Sequence, residues 1–242
     1  SRAGFDQRLT RFGKELKETV QTKAYDRVSA LIDLNTTIAE HDRASEEERR
    51  LGRIEMAIRL VQWLEQQQDS QPELRSFEEA ADLHLRQDGY VDWARHCLRS
   101  GDPQGELSAA YSLLFDNVTE QREKHSAKFA QLLAGWTAAG SKSDDVLPVE
   151  RILGSFVCPL AAARHVLVVV LDGLSVAVAR ELLVDVTRHE WREICQPGRT
   201  MNRPGIATIP SVTEFSRTSL LSGKFRKGNQ EIERQEFQSH PG

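Results

Sequence analysis

Two stretches of this 242-residue chain bring together residue types that could do chemistry. Residues 166–173 read Val-Leu-Val-Val-Val-Leu-Asp-Gly, an apolar run rich in β-branched side chains closed by an acid and a glycine. Such a run suits a central strand of a sheet covered on both faces, because neither set of alternate positions needs water. In open α/β sheets ligands gather at the carboxyl ends of strands, so Asp172 falls where a ligand or metal would be held and Gly173 lets the chain turn there. The plainer reading is a buried strand ending in a turn aspartate. The second stretch, 210–223, reads as strand end, turn, helix and glycine stop. It puts Thr213 at the N-cap position, where free backbone N–H groups and the helix dipole favour an anion. There the Thr213 hydroxyl either caps the helix or acts as a nucleophile toward phosphorus, assisted by a metal that lowers its pKa.

Both stretches need elements to hold them. After Gly173, Ser175 can cap a helix over 176–184, and strand followed by helix at this spacing opens a βα unit. Residues 189–205 read as loop with one short strand, and 206–209 as a candidate next strand. Ahead of the apolar run, Pro148 opens a short helix through Val149, Ile152 and Leu153 that reaches Pro159. Residues 138–145 are small and polar without periodicity, which marks a boundary. Everything before them has helical spacing. Phe5, Leu9, Phe12, Leu16 and Val20 form one stripe and Val28, Leu31, Ile32 and Ile38 a second. A third helix is announced by Ser45 with Glu48, the capping-box spacing, and runs to a loop at 66–72. Ser76 with Glu79 repeats that signal for a helix expected to stop at Gly89. Helices over 90–98 and 107–115 follow, then a longer one through Val118, His125 and Trp136. The helix pairs lack a regular period. Trp63, Trp93 and Trp136 read as core or partner contacts, and His84, His96 and His125 as ordinary helix residues.

Composition bounds the rest. With 39% hydrophobic and 28% charged residues the chain has the make-up of a soluble globular protein, and no apolar run approaches the ~20 residues of a membrane helix. It reads as cytoplasmic, with no membrane partner. Cys97, Cys158 and Cys195 are too few and scattered for a disulfide framework or zinc-ligand spacing. The net charge of −4 divides into −7 over residues 1–150 and +3 over 151–242, a weak bias toward an anionic ligand in the second part.

Asp172-Gly173 followed by Pro210-x-x-Thr213 and a helix ending at Gly223 resembles the opening of the alkaline phosphatase superfamily and its nucleotide phosphodiesterase branch. Together with Pro148-Val149-Glu150-Arg151-Ile152-Leu153 and Pro159-Leu160-Ala161-Ala162, and with residues 168–175 and 210–221, the pattern is similar to the PglZ proteins of BREX bacteriophage-resistance systems, most closely those of type 2. The resemblance is specific over residues ~146–223. It implies an α/β fold: an N-terminal all-helical region (1–137), a linker (138–147) and the first half of an alkaline-phosphatase-like parallel-sheet core (148–242). It further implies a metal-dependent phosphatase or phosphodiesterase, with Asp172 and Thr213 on one divalent ion, Zn or Mn, and Thr213 as nucleophile. Ser216 and Arg217 would bind a phosphate ester, nucleotides and nucleic acid among the candidates, and the partners would be other defence-system proteins. Two departures stand out. The family's Asp-His pair and later ligands are not found in this chain, whose last histidine is His240, and the asparagine expected three residues after the nucleophile is Ser216, followed by Arg217. The chain therefore reads as a fragment. A non-catalytic interaction module is the alternative, whereas a haloacid-dehalogenase-like phosphatase would need a second Asp where Leu174 stands. With both residues at the carboxyl ends of neighbouring parallel strands, the Asp172 carboxylate and the Thr213 hydroxyl are expected within ~5–6 Å, close enough to share a metal.

Overall fold

The computed structural model of the chain describes residues 1–69, 73–194 and 203–240. Among them the elements run α1 (Arg2–Thr22), α2 (Val28–Ala39), α3 (Glu48–Asp69), α4 (Phe77–Leu83), α5 (Gly89–Leu98), α6 (Gly105–Ala138), β1 (Leu147–Pro148), α7 (Cys158–Ala161), α8 (Val176–Arg188), β2 (Gly205–Ile206), α9 (Thr213–Ser222) and α10 (Gln230–Gln238). The chain is thus mainly helical, with one two-stranded parallel ladder. It divides into two units, Ser1–Arg75 with Arg86–Gln131, and Ser76–Leu85 with Leu132–Gly242. The division falls inside α6, whose end at Ala138 coincides with the change of composition at 138.

In the first unit the helical stripes fold as their spacing dictates. Phe5, Leu9, Phe12, Leu16 and Val20 of α1 are all buried, and pack with Leu31 and Ile38 of α2, Ile54 to Leu64 of α3, Val91 and Leu98 of α5, and Leu107 to Val118 of α6. The Ser1 hydroxyl accepts from the Gly4 N–H at 3.3 Å and starts α1. Lys23, left-handed at φ 55°, turns its N–H back onto the Thr19 and Val20 carbonyls and ends it.

Three expectations for these helices need correction. Gly89 does not stop a helix; a wider π-helical turn, His84–Asp88, carries the chain from α4 into α5. The reason is Asp88, a buried acid that accepts from Arg122 at 2.6 Å and faces Nδ1 of His125 at 3.2 Å. That network outweighs the roughly 1 kcal/mol a glycine costs inside a helix. His125, a residue of α6, joins the same polar cluster, with Nε2 3.0 Å from Gln67 Oε1. The two helices expected over 107–136 are one, because Asn117 and Thr119 satisfy their side chains on the carbonyls of Leu113 and Phe115 and offer the backbone no alternative. The third correction concerns the polar residues at 66–69, which continue α3; 70–72 lie outside the described residues.

Tyr111 sits in this core, 1% exposed, with no hydrogen-bond partner for its hydroxyl among the described residues. Burial, with Asp102 adding to it, pushes its ionisation well above the ordinary phenol range. A phenol whose folded pKa is raised adds nothing to stability while both states are protonated. It destabilises the fold once the pH passes the unfolded value near 10, where only the unfolded chain can ionise. Tyr111→Phe is therefore expected to be neutral or to stabilise by about 1 kcal/mol, and to flatten the loss of stability above about pH 10. Denaturant titrations at pH 7 and above pH 10 measure both.

In the second unit β1 pairs with β2 in parallel, Leu147 opposite Gly205 and Pro148 opposite Ile206, so the strand expected over 206–209 is shorter and begins one residue earlier. Phe77 packs on Trp136 with ring centroids 4.9 Å apart. Ser175 caps α8 by accepting from the Val178 N–H at 3.3 Å, as its position suggests. Residues 195–202, which include Cys195 and most of the expected loop, lie outside the described residues.

The largest correction concerns 166–171. These residues are not a buried strand: no ladder partner pairs them among the described residues, and all six side chains are exposed. Leu167 and Val169 are 84% and 67% exposed while Val168 and Val170 are 40% and 41% exposed, an alternation of exposure without a sheet around it. Strand-like composition favours an extended backbone, but burial on two faces needs neighbouring strands and covering layers. Here α8 buries none of its residues either. Leu167→Lys and Val169→Lys are consequently expected to shift stability by no more than about 0.5 kcal/mol, as exposed positions do. Thermal or denaturant unfolding would reveal a larger loss if the segment were core.

Candidate active site

The second unit brings the two chemistry-bearing stretches together. Asp172 follows the apolar segment, and Gly173, at φ 68°, takes the left-handed conformation that turns the chain there. Thr213 opens α9, which Gly223 closes, also at φ 68°. The expectation that Thr213 is the N-cap is off by one residue. Val212 holds that position and gives the helix no side-chain cap, while Thr213 is the first helical residue. Its hydroxyl is turned away from capping and donates to Asp172 Oδ2 at 2.8 Å. The separation anticipated for these two groups is therefore met with room to spare, although not by the anticipated route of neighbouring strand ends.

Arg217 lies one turn further along α9. Its NH1 donates to the same Asp172 oxygen at 3.4 Å, a long contact, while its Nε donates to Glu233 Oε2 at 2.9 Å. Ser216 is placed differently: its hydroxyl is 2.9 Å from that of Thr208, which in turn donates to the Pro210 carbonyl, and it does not join the Asp172 group.

Glu233 is the member that the sequence reading missed. It stands on α10, whose start is capped by Asn229 accepting from the Ile232 N–H at 3.0 Å. An asparagine followed by acids at 231 and 233 is a helix-start signal that could have located it. The close approach of α10 to α9 depends on Gly228, where a Cβ would stand 2.7 Å from the Thr218 methyl group. Ser219 holds the connecting loop, accepting from the Arg226 N–H at 3.1 Å. Glu233 is thereby buried against α9, with Oε1 accepting from the Thr218 hydroxyl at 3.1 Å.

The group can be weighed as a metal site. A carboxylate and a hydroxyl oxygen side by side suit a hard divalent ion in kind. In number they fall short of the four to six donors such ions take, and among the described residues no cluster of three His, Cys, Asp or Glu side chains forms. Glu233 cannot make up the difference as it stands, because both its oxygens are engaged. Among the described residues, no helix is long and apolar enough to cross a membrane. Comparison of the chain with known protein families, curated proteins and solved structures finds no match.

Proposed function

We propose that the Asp172–Thr213–Arg217 group is the nucleophile-bearing part of a metal-assisted phosphoric ester hydrolase of the PglZ type, working within a multi-component phage-defence system and built on an alkaline-phosphatase-like core. The observation that carries this reading is the Thr213 hydroxyl, bonded to Asp172 instead of capping its own helix. At the first helical position the hydroxyl is not needed as a cap, and here it is committed to a carboxylate 41 residues away in the chain.

In this reading Thr213 Oγ1 attacks phosphorus, the new O–P bond forming as the bond to the leaving alkoxide breaks. The hydroxyl proton already points at Asp172 Oδ2, and the N-terminal end of α9, with Arg217, faces the charge that develops on the phosphoryl oxygens. Water then cleaves the phosphothreonine. Asp172 and Thr213 would hold a divalent ion, Zn or Mn, which supplies Lewis-acid activation of the hydroxyl. With so few donors the chain by itself should hold such an ion weakly, so the remaining donors must come from outside the described residues. The substrate class is a phosphate ester, nucleotide or nucleic acid included.

Hydrolysis of chromogenic phosphate mono- and diesters tests the proposal. The chain alone is expected to stay at background with Zn²⁺, Mn²⁺ or Mg²⁺, and to turn over substrate once its assembly supplies the missing donors. Turnover by the chain alone that Asp172→Ala removes would contradict the donor count. A complete assembly that hydrolyses neither ester would leave the second reading, a docking module without catalysis. The exposure of apolar 166–171 and of Val178, Leu182 and Leu183 on α8 favours that alternative.

A further inference from the structure

We infer that Glu233 is a positioning residue, the anchor that aims Arg217 at the phosphoryl group on Thr213; the inference rests on the phosphoryl-transfer reading of the site. Glu233 is 5% exposed, and a carboxylate taken out of water must be paired and hydrogen-bonded on its remaining lone pairs. Both conditions are met from α9 alone, by Arg217 Nε on one oxygen and by the hydroxyl of Thr218, itself fully buried, on the other. The pairing uses the Nε edge of the guanidinium and fixes its plane. NH1 is left on the side of Asp172, where it makes a long 3.4 Å contact. A contact that long is easily exchanged for a phosphoryl oxygen, whereas the 2.9 Å bond to a buried carboxylate is not. Arginine serves planar recognition of phosphate best when its fork is held in advance, because a free side chain must first lose its rotamer freedom. Gly228 belongs to the same device, since any side chain there would push α10 and Glu233 off α9.

An alternative role is purely structural, an ion pair that staples α10 to α9. Binding of inorganic phosphate to the whole chain, followed by ³¹P NMR alongside thermal unfolding, separates the two. The unsubstituted protein is expected to bind phosphate, and Arg217→Ala to weaken binding about tenfold or more. Glu233→Gln keeps the shape and one acceptor oxygen, which can stay on Arg217 Nε while the amide NH2 turns to the Thr218 hydroxyl; it loses the charge, and should weaken phosphate about three- to tenfold with only a small drop in melting temperature. Thr218→Val should act in the same direction and less. Glu233→Gln that binds phosphate as tightly as the parent, while Arg217→Ala does not, would overturn the positioning role and leave the phosphoryl reading standing. No phosphate binding by the parent, or binding indifferent to Arg217→Ala, would overturn both. Should the Gln variant fail to fold, the Arg217 Nε–H proton of the parent decides: slow exchange with solvent is expected, and fast exchange would contradict the anchor.

Discussion

Asp102→Ala is expected to destabilise the first unit by about 3–5 kcal/mol. The Asp102 carboxylate is fully buried, and Arg50 grips it with two bonds, 2.8 Å from Nε and 2.6 Å from NH2. It also accepts from the Gln104 N–H at 2.9 Å, ordering the turn that leads into α6, and lies 3.6 Å from Arg53. Removing it leaves Arg50, only 12% exposed, without its principal partner, although Glu47 and Asp6 remain at 3.7 and 3.8 Å. The cost comes from the stranded cation more than from any net strength of the pair, so the double variant Asp102→Ala with Arg50→Met should recover part of the loss. Denaturant unfolding of both variants checks this, and a full loss that persists in the double variant would mean that Asp102 acts through the turn alone.

The second large effect is on catalysis. In an assembly that turns over phosphate esters, Thr213→Ala should lower kcat by roughly 10³-fold or more, as removal of a covalent nucleophile does elsewhere. Folding should be spared, because the Thr213 side chain is exposed and its only described partner, Asp172, is 44% exposed and can return to water. Thr213→Ser retains a hydroxyl in place and should keep much of the rate, whereas Thr213→Val, which matches the shape, should behave as alanine does. Steady-state kinetics with melting curves for each variant separates lost chemistry from lost fold.

What could be read from the sequence follows the range of the forces involved. The α1 stripe and the Ser76, Ser175 and Gly223 caps depend on contacts three to four residues apart, and all appear in the fold. The π turn at His84–Asp88 was hidden because its cause, the bond from Arg122 to Asp88, spans 34 residues. Composition at 166–171 suggested a strand but could not supply a sheet, since pairing belongs to the neighbours and not to the segment. At the site, Asp172 and Thr213 meet as expected, but not through the neighbouring strand ends from which the closeness was inferred, and Arg217 was in view. The anchor Glu233 was not, because its burial depends on the approach of two helices at Gly228.

The central claim is that Thr213 itself carries the phosphoryl group. It is tested most directly by quenching turnover in acid within the first cycle and locating phosphate by mass spectrometry of the peptide that contains residue 213. Phosphothreonine at 213, absent from Thr213→Ala and formed no more slowly than product is released, is the expected result. Sustained metal-dependent hydrolysis with that peptide unmodified throughout would contradict it, placing the attack on a water molecule and reducing Thr213 to a ligand of Asp172.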